Sequence, residues 1–298
     1  MSASYFIQQL INGLAIGSLY ALVAVGLSMV YGILRLINFA HGDLMMIAGM
    51  LGATLFLWLS KSPLFLFVAL ALVAGLLGLA LERIAYRPLR GAPEVNLLIT
   101  SFAVSSILQV GMQMIFSSSP RRFETVAALS KLYSFGSVQI RGADMATFFI
   151  TILSALLLTW FTRRTRTGIA MRAVSENLDT SMLMGINPSR PIALAFFIGS
   201  LLAGVAGVLW GWKYGQVDPL FGFLPGLKAF VAAVIGGIGS IPGAFVGGYV
   251  LGLAEVFFVG FLPPSFSGYR DVFVFSLLFI VLLVKPQGIL GQSKGRRA

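Results

Sequence analysis

The sequence predicts an all-α, polytopic integral membrane protein. Three observations carry that prediction. Of its 298 residues, 58% are hydrophobic and only 10% charged, whereas soluble domains carry about 25% charged residues. Apolar runs long enough to cross a bilayer recur along the whole chain. The arginines are bunched between those runs, as topology signals are. The expected architecture is a single transmembrane domain over residues 1–298, with eight or nine membrane-spanning helices, some of them re-entrant or broken.

Residues 5–30 form the first expected span, a run too long for a signal-peptide core. Gly13, Gly17 and Ala21 recur every four residues in it, a ridge of small side chains that lets another helix come close. Residues 31–43, YGILRLINFAHGD, are the most polar stretch near membrane depth. Residues 44–59 and 64–81 are the next spans, joined at Lys61-Ser62-Pro63. Residues 82–94 carry Arg83, Arg87 and Arg90 and read as cytoplasmic.

Residues 95–116 are a weaker span with Thr100, Ser101, Ser105, Ser106, Gln109 and Gln113, which predicts shielding from lipid. Residues 117–143 are an external polar loop with a β-leaning stretch at 133–140. Residues 144–161 cross back to an arginine-rich loop, and 192–210 leave again. That second run carries the ladder Gly199, Ala203, Gly207 and Gly211, then Trp210, Trp212 and Tyr214 where an interfacial aromatic belt would sit. Residues 225–262 are too long for one crossing and break at 236–243, GGIGSIPG. Residues 270–284 are the last span, and Lys285, Lys294, Arg296 and Arg297 form a basic tail. Nine crossings place the N-terminus outside and the C-terminus inside.

The loop at 163–190 is the polar island of the chain. Arg163, Arg164, Arg166, Arg172 and Arg190 face only Glu176 and Asp179, which marks it as cytoplasmic. Between Gly168 and Met184, the apolar residues Met171, Val174, Leu178 and Met182 fall three or four apart, predicting one amphipathic helix. Arg172, Glu176 and Asp179 lie on another side, and Gly185 and Pro188 stop it. Such a helix lies flat on its membrane or docks a soluble partner.

Little else in the chain carries chemistry. A net charge of +11 is divided among loops rather than laid along one face, so it reads as topology and lipid contact, not nucleic-acid binding. There is no cysteine, and one histidine with ten acids leaves little for a metal. No phosphate-cradling G-x-x-x-x-G-K-[ST], H-E-x-x-H or nucleophile-elbow pattern occurs, which argues against an enzyme.

The constellation that stands out is Asn38, His41, Gly42 and Asp43. Polar groups at membrane depth are costly and face a cavity, a partner or a path, and an unwound helix there would offer backbone groups to a polar substrate. The alternative is an interfacial turn in which His41 and Asp43 cap the next helix. Gly236, Gly237, Gly239 and Gly243 are a second place where backbone would line a path, the alternative being tight helix packing. Glu255 reads as a functional acid or as a paired residue, and Lys228 and Asp271 read as interfacial.

Three stretches together resemble one family. INFAHGDLMMIAGM, then TGIAMRAVSENLDTSMLMGINPSR with AFFIGSLLAGVAGVLWG, then FVAAVIGGIGSIPGAFVGGYVLGLAE are similar, in family order, to the branched-chain amino acid ABC transporter permeases, the LivH-type subunits of the bacterial inner membrane. The resemblance implies a transport subunit with no cofactor of its own. Its partners would be a second permease, usually a different one, two ATPase subunits that bind ATP and Mg, and a periplasmic binding protein. It also implies that 168–185 is the coupling helix that seats Met171, Val174, Leu178 and Met182 in an ATPase groove. The importer loop pattern E-A-A-x-x-x-G is met only by Asp179 and Gly185.

Two rivals remain. The same architecture serves urea, short amides and aromatic acids. A stand-alone carrier or channel would transport without ATPases and would leave the amphipathic loop without a task.

Overall fold

The computed structural model describes residues 3–59 and 63–291; Lys61, Ser62 and the tail residues Lys294, Arg296 and Arg297 lie outside them. Helices dominate. α1 (Ala3–Leu34), α2 (His41–Leu59), α3 (Pro63–Leu81) and α4 (Glu94–Phe116) come first. A loop region follows, with β1 (Arg121–Arg122), the short α5 (Ala127–Ser130), β2 (Leu132–Phe135) and β3 (Val138–Arg141). Then come α6 (Gly142–Arg164), α7 (Arg166–Glu176), α8 (Leu178–Leu183), α9 (Ser189–Tyr214) and β4 (Gln216–Val217). α10 (Phe223–Gly236), α11 (Ile241–Phe261) and α12 (Arg270–Val284) close the chain. Among the described residues, seven helical stretches are long and apolar enough to cross a membrane, and 41–56 and 223–236 are shorter apolar ones.

α1 is the central post. It is apolar on every side, and 89% of its most apolar window is buried, against 6% for the window that holds α12. A helix apolar all round needs neighbours all round. Small residues let them approach. Gly252 fits against Gly17, and Gly248 against Ala21, so α11 crosses α1 almost backbone to backbone, with Gly13 against Leu253 one turn on. The α9 ladder meets several partners rather than one. Gly199 lies against Gly26 of α1, Gly207 against the Met45 carbonyl of α2 and Gly211 against the Phe123 ring, while Ala203 is fully buried.

Side chains and backbone sort the loops into two ends. At one end Gln8 exchanges two hydrogen bonds with the Gln139 backbone, Arg141 donates to the Lys213 carbonyl, and Lys213 pairs with Asp144. There β1 pairs with β4, and the β2–β3 hairpin turns at Gly136. At the other end Arg90 donates to Ser189, and the N–H groups of Ile289 and Leu290 donate to the carbonyls of Ile235 and Gly236.

Several expectations change. The first span runs four residues further, to Leu34. α4 is less shielded than its hydroxyls suggested: Ile107, Met114 and Ile115 are exposed on this chain. Only part of its polar face is shielded: Ser101 and Ser105 are buried, Thr100 donates to the Asn96 carbonyl and Ser101 to that of Leu98, and Gln109 reaches across to Asp43. Trp212 stacks on Phe67 and is buried, so it is packing rather than belt.

Candidate functional site

The polar stretch at 35–43 is where the fold departs from regular helices. α1 stops at Leu34 because Arg35 adopts a left-handed φ of 51°. The chain then turns back into the bundle without helix, and α2 starts at His41. The His41 ring lies on Gly26, where a Cβ would come within 2.9 Å of Nε2. Gly26 is eight residues before the end of α1, a depth of about 12 Å. α2 therefore begins inside the bundle rather than at an interface.

Asn38, His41 and Asp43 are all buried, at 1%, 1% and 0% exposure. Each buried polar group at this depth needs a partner. Tyr86 Oη donates to Asn38 Oδ1 at 2.7 Å. Gln109 Nε2 lies 3.0 Å from both Asp43 Oδ1 and Ser105 Oγ. Phe39 stacks on Phe102 with ring centroids 4.1 Å apart. Asp43 thus reaches across to α4. His41 and Asp43 also stand in the first turn of α2, where the capping alternative put them, although that turn is buried against neighbouring helices. Asn38 Nδ2 has no hydrogen-bond partner among the described residues. A small cavity beside it is lined by Leu27, Asn38, Phe39, Gly226 and Phe230. On its other side Gly42 touches the first turn of α10 at Gly226.

The second glycine-rich stretch is arranged differently. Gly236 and Gly243 lie against each other, and a Cβ on Gly236 would sit 1.8 Å from the Gly243 carbonyl oxygen. Gly237 and Gly239 take φ of +109° and +87°, which makes the bend between α10 and α11. The Ile235 and Gly236 carbonyls accept from Ile289 and Leu290. The backbone groups expected along a path here are occupied by packing and by the segment after α12.

The amphipathic loop is not one helix. α7 ends at Glu176, and Asn177 in extended backbone caps α8, its Oδ1 accepting from the Thr180 N–H at 2.9 Å. Gly168 is buried where α7 folds onto α6; a Cβ there would meet the Phe161 carbonyl oxygen at 2.2 Å. Gly185, at φ +78°, ends α8 as Ile186 N–H reaches the Ser181 carbonyl. The break splits the predicted stripe. Met171 and Val174 are buried in the chain's own bundle, while Leu178 and Met182 are exposed beside Leu183 at 88% and Met184 at 78%. Arg172, Glu176 and Asp179 are exposed. Met171 and Val174 therefore anchor the loop and do not face a partner's groove.

The chain matches, over residues 9–282, the family model described as branched-chain amino acid transport system / permease component. It belongs to that family. It is 43% identical to the high-affinity branched-chain amino acid transport system permease protein BraD of Pseudomonas aeruginosa, with 97% of each chain covered. It is 42% identical to the corresponding protein LivH of Escherichia coli, again over 97% of each. A probable LivH of Methanocaldococcus jannaschii is 28% identical over 92% of this chain and 89% of that one. No solved structure matches.

In this permease the structure also joins residues that the sequence left apart. Lys228 Nζ lies 2.8 Å from Glu255 Oε1 and 2.7 Å from Asp271 Oδ1, and Arg270 pairs with the same Glu255 oxygen. Glu255 is fully buried and Lys228 nearly so. Lys228 is thus inside the bundle, where Glu255 makes its charge tolerable. The permease's Tyr86 carried no sequence signal at all, whereas Ser105 and Gln109 stood out as polar residues in an apolar span.

Proposed function

We propose that this permease is one of two membrane-spanning subunits of an ATP-driven importer in the bacterial inner membrane. Its cargo is branched-chain or related hydrophobic amino acids. Two ATPase subunits sit against the loop at 163–190 and hold the ATP and Mg. A second permease, different in sequence, completes the path, and a periplasmic protein delivers substrate. The chain itself catalyses no reaction. The loop at 163–190 and the C-terminus face the cytoplasm, and 117–143 faces outside, in line with the arginine-rich loop.

The observation that carries this reading is the tip of the loop. Leu183 and Met184 are large, apolar and almost fully exposed. They stand at the C-terminal end of a short helix that Asn177 caps at its start and Gly185 stops just beyond its end. A held apolar tip is suited to a groove in a soluble partner. ATP-driven closure of the ATPases would move α7 and α8, and the free energy would reach the path through contacts that differ between the two states. The polar stretch Asn38–Asp43 and its cavity are the substrate path in this reading.

Purification from the native membrane tests it. Recovery of two ATP-binding subunits and a second permease supports the importer. Recovery of the chain alone, still transporting in vesicles without ATP, leaves a carrier or channel.

A further inference from the structure

One segment reaches both the coupling loop and the polar stretch. After α3 the chain makes a π-helical turn, Glu82–Tyr86, and a 3-10 turn, Arg87–Leu89. π-turns are rare and gather at functional sites. Tyr86 is buried at 1%, and besides its bond to Asn38 its ring lies 5.2 Å from that of Phe196. Phe196 and Tyr86 belong to a small apolar cluster with Val30, Leu36, Ile192 and Val174. Val174 is on α7, within the coupling loop, and Leu36 is in the unwound stretch. At the other end of the segment, Arg90 pairs with buried Glu82 and donates to Ser189 Oγ at 2.9 Å. Ser189 is the first residue of α9, where the coupling loop ends.

We propose that Tyr86 is the positioning residue that links the coupling loop to the substrate path, by holding Asn38 through its hydroxyl while its ring rides on the cluster that contains Val174. The proposal rests on the importer reading above. Close-packed side chains do not deform smoothly; they exchange one packing for another. A shift of α7 moves Val174, and the cluster carries the Tyr86 ring with it. The hydroxyl then drags or releases Asn38 Oδ1, and with it the side-chain amide at the cavity beside Phe39 and Phe230. Arg90 and Ser189 keep the turn fastened to the loop, so the motion is not lost in backbone slack.

The test uses the assembled transporter in proteoliposomes, with leucine as the probe, measuring uptake and ATP hydrolysis on one preparation. Tyr86→Phe keeps the ring and loses only the hydroxyl. Hydrolysis is expected within about two-fold of wild type while uptake falls about ten-fold or more, so leucine carried per ATP drops. Ser189→Ala, at the other fastening, is expected to show the same split. The double variant Tyr86→Phe/Asn38→Leu is expected to be no worse than the poorer of the two single ones. Uptake and hydrolysis falling in proportion, or leucine per ATP equal to wild type in Tyr86→Phe, would overturn the proposal. Wild-type uptake that runs without ATP sinks the importer reading and the proposal with it, and it is seen before any variant is compared.

Discussion

Gly42 lies directly against Gly222, so close that a Cβ on Gly42 would stand 2.3 Å from the Gly222 carbonyl oxygen. Two helices, α2 and α10, begin at this point inside the bundle. Neither could start there if its neighbour carried a side chain.

Gly42→Val is therefore expected to destabilise the protein by about 3 kcal/mol or more, since overpacking against backbone has no flexible group to yield. Gly91→Ala is the control for a glycine change away from contacts, with open space around it but a φ of +88° to strain, costing about 1 kcal/mol. Thermal unfolding in detergent separates them. Equal midpoints would contradict the packing described here.

Asn38→Ala and Asp43→Ala are expected to cut leucine uptake about ten-fold or more while the variants still assemble with their partners. Asp43→Ala leaves the Gln109 amide with Ser105 as its remaining side-chain partner. Uptake and pull-down on the same membranes decide. Normal uptake in both variants removes these residues from the path.

The break at Asn177 separates two kinds of loop residue. Met171→Ala and Val174→Ala are expected to lower stability by about 2–4 kcal/mol, because both are buried. Leu183→Ser and Met184→Ser are expected to leave the unfolding midpoint unchanged and to weaken ATPase recovery about ten-fold. Pull-down yield against melting temperature gives the contrast, and the reverse pattern would restore the single-helix picture.

Glu255→Leu is expected to cost about 3–5 kcal/mol, since it removes the fully buried carboxylate shared by Lys228 and Arg270 and leaves Lys228 with only the half-exposed Asp271. Lys228→Met added to it should recover most of that loss, as an apolar pair replaces the ionic one. Denaturant or thermal unfolding of the single and double variants measures it. A double variant as unstable as the single one would show that the cluster's worth lies elsewhere.

The spans were legible because bilayer thickness fixes the length of an apolar run, and the break at Gly236–Gly243 was legible because 225–262 exceeds that length. The β-leaning residues at 133–140 fall on the β2–β3 hairpin, although they did not specify its pairing. The division of the loop at 163–190 into two helices was not legible, since the apolar spacing runs straight through Asn177, the residue that caps the second helix. The contacts of Tyr86 with Asn38 and of Lys228 with Glu255 were not legible. Hydropathy places a residue along a span, but it does not say which face of that span meets which neighbour.

The measurement closest to the central claim is leucine uptake by proteoliposomes holding the co-purified assembly and the binding protein, with and without ATP on the side of the ATPases. Uptake that requires ATP, and that is lost when Leu183 and Met184 are both changed to Ser, is the predicted result. Uptake that proceeds equally without ATP would contradict the account and make the chain a carrier in its own right.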